Sequence, residues 1–99
     1  GRLALMKSDA TLVNIARGPV VDERSLIDAL KSGRLFSAGL DVFETEPGPI
    51  RRELYELHNV FCLPHIASAT LESRRDMAVR AFENLVAFEE TGAPKDRVA

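Results

Sequence analysis

The chain has 99 residues, of which 45% are hydrophobic, enough for one small core. Its 13 Lys and Arg and 15 Asp and Glu are interspersed and give a formal net charge of −2. Without a basic stripe we expect no nucleic-acid partner. No apolar stretch approaches the roughly 20 residues that cross a bilayer, so we expect no membrane partner and a cytoplasmic location.

The single cysteine, Cys62, lies in the apolar run of residues 60–63. A thiol there is expected to be a small buried hydrophobe in a reducing compartment, and we expect no metal site. The chain begins without Met, in what looks like the middle of an element, and without a signal peptide. We therefore interpret it as truncated, and as one domain or part of one.

The first half of the chain predicts a strand, a helix and a second strand. Residues 11–15 form a β-branched run that predicts the first strand. Asp22 is placed to cap a helix over residues 23–32, and Gly33 is placed for a left-handed cap after it. Residues 38–43 predict a strand apolar enough to be covered on both faces. Together they indicate a βαβ unit.

The second half predicts a third strand and a long helix. The polar loop of residues 44–58 is expected to hold one helical turn over residues 52–57, and residues 60–63 predict the third strand. Thr70 is placed to cap a final helix over about residues 70–91, which carries an apolar stripe and ends at Gly92. The order predicts an α/β fold with an open parallel sheet and flanking helices. The stripe comprises Leu71, Ala78, Phe82, Leu85, Val86 and Phe88.

Four polar residues follow the predicted strands. Right-handed crossovers make the strands parallel, so their carboxyl ends share the edge at which open α/β sheets bind ligands. Arg17 follows the first strand, Asp41 ends the second with Glu46 shortly beyond, and His65 follows the third. Singly, they would more often be a turn arginine, a capping aspartate, an acidic loop residue and a structural histidine. Their equivalent topological positions favour a shared site.

The chemistry of this set is specific. A guanidinium matches a carboxylate, so Arg17 suits a small 2-keto or 2-hydroxy acid. His65 could supply or remove the proton on the substrate oxygen near neutral pH. A carboxylate beside an imidazole favours the imidazolium and orients the ring, which is the role expected of Glu46.

Three segments resemble signatures of the D-isomer-specific 2-hydroxyacid dehydrogenases, in the same order and spacing: residues 13–22, 39–47 and 63–70. The resemblance implies a Rossmann-like sheet that binds NAD or NADP, with Arg17 on the substrate, His65 as the acid/base and Glu46 as its partner. It also implies a cofactor surface in which Asp41 binds the nicotinamide carboxamide. The other implied cofactor contacts are Ile15, Ala16, Arg17, His65 and, more weakly, Ala67.

Within the family, residues 65–70 look most similar to glyoxylate and hydroxypyruvate reductases. The chain has no Gly-x-Gly-x-x-Gly phosphate loop, so we expect it to be the carboxyl-terminal portion of a dinucleotide-binding domain, inactive alone. The resemblance implies a homodimer when full-length. The alternative is a non-catalytic NAD(H)-binding scaffold similar to corepressors of this fold, which can keep the same Arg, Glu and His.

Overall fold

The computed structural model describes residues 1–98 and divides at Ser68 into two compact units. Unit 1, Gly1–Ala67, also holds two short 3₁₀ segments, Arg2–Leu5 and Gly18–Val20. Its regular elements are, in order, β1 (Thr11–Asn14), α1 (Glu23–Lys31), β2 (Ser37–Leu40), α2 (Arg52–Tyr55) and β3 (Val60–Cys62).

The three strands form one parallel sheet in the order β1-β2-β3. Val13, Gly39 and Phe61 lie side by side in this register. The predicted fold class is confirmed, and the carboxyl ends of all three strands share one edge. That edge is where the ligand site was expected.

All three strands end earlier than predicted, because the residues that follow them make loop contacts in place of regular strand pairing. β2 ends at Leu40 rather than at residue 43, and Val42 and Phe43 are buried outside the strand. The Asp41 N–H still donates to the Asn14 carbonyl at 3.0 Å, and the Leu63 N–H donates to Leu40 at 2.8 Å. The ladder thus continues one residue beyond the regular strands.

Helix α1 has the predicted start and packs its apolar side into the core. Asp22 accepts the Ser25 N–H at 2.6 Å, and Gly33 follows the helix with φ 70°. Leu26 is fully buried, and together with Leu35, Phe43 and Leu54 it centres the core of unit 1. Each such side chain stabilises the fold by about 1.5–3 kcal/mol relative to exposure.

Within unit 1 one face of the sheet is more buried than the other. Ser37 and Gly39 are only half-buried, and on the adjacent strands Val13 and Phe61 are 66% and 67% exposed. The other face packs on α1 through Ala38 and Leu40. Cys62 is half-buried against this core, and burial raises the pKa of its thiol.

Unit 2 begins at Ser68 and contains α3 (Leu71–Thr91). The Thr70 hydroxyl accepts the Ser73 N–H at 3.1 Å, and Gly92, with φ 74°, ends the helix as predicted. The apolar stripe is exposed: Phe82 and Leu85 are 67% and 69% accessible. None of the helices among residues 1–98 has the length and apolar character needed to cross a membrane.

The segment after α3 folds back on the helix through Asp96. Its carboxylate accepts from the Arg80 guanidinium and, at 2.8 Å, from the Asn84 side chain, while its N–H donates to Asn84. Lys95 adds an ion pair with Glu83 at 3.1 Å. The hydrogen bonds from Arg80, followed by those from Asn84, lower the pKa of Asp96 to about 2.

This carboxylate gives a pH dependence with a defined sign. Because the pKa is lowered on folding, the stabilisation is fully present above the ordinary value of 3.8 and is lost as the pH falls through about 2. In Arg80→Leu, Asp96 should titrate much closer to 3.8, whereas Arg75→Leu, on the same helix, should leave it near 2. NMR titration of the Asp96 side chain measures both. A pKa near 3.8 in the unaltered protein would contradict the contact.

Candidate active site

The loop that carries Arg17 is held by the buried side chain of Asn14, which is 5% exposed at the end of β1. Its Oδ1 accepts the Ala16 N–H at 3.1 Å and its Nδ2 donates to the Arg17 carbonyl at 3.0 Å. The amide thus uses one of its two N–H donors and its acceptor oxygen on the backbone of one turn. Arg17 itself is exposed, with one guanidinium N–H donated to the Ala16 carbonyl at 2.6 Å.

Gly18 brings this loop against the segment that follows β2. A Cβ on Gly18 would lie 1.9 Å from the Phe43 carbonyl oxygen and 2.5 Å from the Glu44 nitrogen, distances that no side chain can occupy. The two backbones therefore touch only because residue 18 is glycine. The contact fixes Arg17 relative to the loop that carries Glu46.

The loop after β3 is held by Asp41, which is 2% exposed. One carboxylate oxygen accepts the Ile66 N–H at 2.7 Å and the other accepts the Ala67 N–H at 2.8 Å. Between these contacts and β3, His65 has φ 56°, a left-handed conformation uncommon for a residue with a side chain. The paired hydrogen bonds stabilise this backbone and so set the direction of the imidazole.

His65 and Glu46 form a direct pair. Nδ1 of His65 lies 2.9 Å from Oε2 of Glu46, and the side chains are 52% and 28% exposed. Because a carboxylate only accepts hydrogen bonds, Nδ1 carries the proton in this pair. Nε2 is then the nitrogen available for proton transfer to a ligand.

Arg17, Glu46 and His65 line the same cavity of about 520 Å³, together with Phe43 and Pro47. The structure thus brings a cation, an imidazole and its carboxylate partner to one opening, as the sequence predicted. The remaining predicted contacts do not line it.

Asp41 is buried beneath the loop after β3, while Ile15, Ala16 and Ala67 are exposed near the carboxyl ends of β1 and β3. Among the described residues, no group of His, Cys, Asp and Glu is arranged to hold a metal ion.

Sequence reasoning missed a second group of polar residues beside the cavity. Glu44 and Glu23 exchange backbone contacts: Oε1 of Glu23 accepts the Glu44 N–H at 2.7 Å, and Oε1 of Glu44 accepts the Glu23 N–H at 3.1 Å. Arg51 lies 3.3 Å from both carboxylates. Glu23 reads as an ordinary first-turn acid and Glu44 as part of an acidic loop, so no local pattern in the sequence distinguishes them.

Comparisons with known proteins identify the family to which the chain belongs. A family model described as "D-isomer specific 2-hydroxyacid dehydrogenase, NAD binding domain" matches residues 1–67. A glyoxylate/hydroxypyruvate reductase B of Erwinia tasmaniensis is 59% identical over 86 residues, which are 87% of this chain and 27% of the relative.

Solved structures give the same result. The NADPH-dependent glyoxylate/hydroxypyruvate reductase of Sinorhizobium meliloti, in complex with NADP and malonate, superposes with a TM-score of 0.85 at 40% identity, covering 98% of this chain and 30% of that one. The D-mandelate dehydrogenase of Rhodotorula graminis superposes with a TM-score of 0.77 at 42% identity, covering 87% and 25%.

The parallel sheet and the matched region define the class of fold as Rossmann-like. The chain belongs to the D-isomer-specific 2-hydroxyacid dehydrogenase family and matches its NAD binding domain. It spans about a quarter of the length of the curated relatives it matches.

The close approach of Gly18 to the Phe43–Glu44 backbone can be tested by substitution. Gly18→Ala should destabilise unit 1 by more than about 2 kcal/mol, because the Phe43–Glu44 backbone must move to admit the Cβ. Gly39→Ala is the matched control, since its Cβ would meet only a Val13 methyl at 3.8 Å, and it should change stability by less than about 1 kcal/mol. Denaturant unfolding of the two variants measures this. Equal stabilities would contradict the close approach.

Proposed function

We propose that this chain contributes the proton-transfer and carboxylate-binding residues of an NAD(P)H-dependent reductase of small 2-keto acids, of the glyoxylate or hydroxypyruvate class. The observation that carries the proposal is the His65–Glu46 pair at 2.9 Å in a cavity also lined by Arg17. The names of the relatives from Erwinia tasmaniensis and Sinorhizobium meliloti support this substrate class.

Arg17 binds the substrate carboxylate. One of its five N–H donors is used by the Ala16 carbonyl, and the other four have no protein partner in the described part of the chain, so they are available to a ligand. A planar guanidinium can hold a carboxylate with two parallel hydrogen bonds and polarise the adjacent carbonyl.

His65 protonates the substrate oxygen through Nε2 as the carbonyl is reduced. Glu46 holds the ring by Nδ1 and compensates the positive charge of the imidazolium. In the reverse direction the same nitrogen accepts the proton of the 2-hydroxy acid.

The residues present fit part of a nicotinamide dinucleotide. Ile15 is 64% exposed and offers an apolar surface, with Ala16, near the carboxyl end of β1. Each oxygen of Asp41 has one N–H partner and a second lone pair, which is the acceptor we assign to the carboxamide. The cofactor supplies the hydride. The sequence holds no Gly-x-Gly-x-x-Gly loop for the pyrophosphate.

The 99 residues are, in this proposal, the carboxyl-terminal portion of a dinucleotide-binding domain. The match to residues 1–67 and the quarter-length coverage of the relatives support this assignment. We also propose that the full-length protein is a cytoplasmic homodimer, as the family resemblance implies. Light scattering and cell fractionation of the full-length protein test these two points.

Activity is tested in a chimera in which the 86 matching residues replace the corresponding segment of the Erwinia tasmaniensis reductase. Reduction of glyoxylate and hydroxypyruvate is followed by NAD(P)H absorbance. His65→Ala should lower kcat by roughly 10²–10⁴-fold, the usual contribution of a general acid. His58→Ala, which alters the other, exposed histidine, should have little effect.

Arg17→Ala should lower kcat/KM by about 10²-fold, because charged hydrogen bonds to the carboxylate are lost. Near-normal rates for both site variants would refute the assignment.

Replacing Glu46 should change the pH profile. In Glu46→Gln of the chimera, the carboxylate that contacts Nδ1 of His65 is replaced by a neutral amide, so the pH dependence of keto-acid reduction should change. The pH profile of kcat measures this change. Glu53→Gln, on α2, is the control and should leave the pH profile unaltered. An unaltered profile for Glu46→Gln would remove Glu46 from the mechanism.

A further inference from the structure

Glu23, Glu44 and Arg51 form a closed arrangement, which we call the clamp. Glu23 is 3% exposed, and its Oε2 faces Arg51 Nε at 3.3 Å as an ion pair without hydrogen-bond geometry. Its other oxygen, Oε1, accepts the Glu44 N–H, and Oε1 of Glu44 accepts the Glu23 N–H. A buried carboxylate is costly unless it is paired in this way, so the clamp strongly favours one arrangement of its three residues.

The clamp secures both ends of the loop that carries Glu46. Glu44 is two residues before Glu46, and Arg51 closes the segment on the other side. Within the loop, the Thr45 hydroxyl donates to the Pro49 carbonyl at 2.7 Å and the Glu46 N–H donates to the Phe43 carbonyl at 3.3 Å. Two residues span at most about 7 Å, so fixing Glu44 on α1 restricts where the Glu46 carboxylate can lie.

Glu44 is the one member of the clamp that lines the cavity of the site, and the other two lie outside it. Glu23 and Arg51 do not line the cavity of Arg17, Glu46 and His65, and Arg51 contacts only the two clamp carboxylates among its ion pairs in residues 1–98. Their effect on chemistry must therefore pass through the loop. The loop acts on the site through the Glu46 carboxylate, whose Oε2 lies 2.9 Å from Nδ1 of His65.

We propose that Glu23 and Arg51 are positioning residues that hold Glu46 on His65 by fixing the backbone at Glu44. The structural part of the proposal stands on the clamp geometry, and its catalytic consequence rests on the proposed function. Arg51 contributes by neutralising the two carboxylates, which otherwise repel each other and release the Glu44 N–H.

The structural part is tested by amide hydrogen exchange in the full 99-residue chain. Arg51→Met should speed exchange of the Glu44 N–H by about tenfold or more, because its acceptor loses its charge partner. The Ile66 and Ala67 N–H groups, held by Asp41, should be unaffected and report any general loss of stability. Arg52→Met is the matched control, since exposed Glu56 is the only ion-pair partner of Arg52 within residues 1–98. Arg51→Lys, which keeps the charge, should retain part of the protection.

The catalytic part is tested by a double-mutant cycle in the chimera. Arg51→Met should lower kcat several-fold in the otherwise unaltered chimera and by less than about twofold in the Glu46→Gln background, because both changes remove the same contact. A residue that only stabilises the fold would lower activity equally in both backgrounds.

Each outcome decides a separate point. Unchanged exchange at Glu44, or equal acceleration at Ile66 and Ala67, would overturn the clamp. Additive losses of kcat would overturn its positioning role. Failure of the proposed function would instead appear as full activity in His65→Ala, and the exchange result would then still decide whether the clamp holds Glu44.

Discussion

Burying a polar side chain costs free energy unless the side chain has hydrogen-bond partners, and in this protein the backbone of the site loops supplies those partners. Among the described residues three polar side chains are buried: Asn14, Glu23 and Asp41. Asn14 binds the turn of Arg17, Asp41 binds the turn after His65, and Glu23 binds the start of the Glu46 loop. Each buried polar group therefore determines the position of one exposed functional side chain.

This arrangement separates positioning from chemistry. Arg17, Glu46 and His65 must reach a ligand, so they cannot be immobilised by burial in the core. Their backbones are held instead by the side chains of Asn14, Glu23 and Asp41, which are 2–5% exposed. Of these three residues, Asn14 belongs to the sheet, Glu23 belongs to α1 and Asp41 directly follows β2. A site built in this way can keep its geometry while its reactive atoms stay open to the cavity.

The three loops are also coupled to one another. Gly18 places the Arg17 turn directly on the Phe43–Glu44 backbone, and the Glu46 loop reaches across to His65. A change at Gly18 or in the clamp is therefore transmitted to more than one functional group. His65 is the most constrained of the three, because it combines a left-handed backbone, a carboxylate on Nδ1 and the two amides that Asp41 binds just beyond it.

Local sequence patterns were enough to predict the order of elements, the caps at Asp22 and Thr70, and the location of Arg17, Glu46 and His65 after parallel strands. These depend on local periodicity, capping and topology, which can be read from neighbouring residues. The folded chain was needed to show where β2 ends and that Asp41 binds the Ile66 and Ala67 amides. The Glu23–Glu44–Arg51 clamp was likewise visible only there. Apart from the Glu44–Arg51 pair, these contacts join residues 21 to 28 positions apart. Their burial depends on the packed core, so no local sequence pattern could predict them.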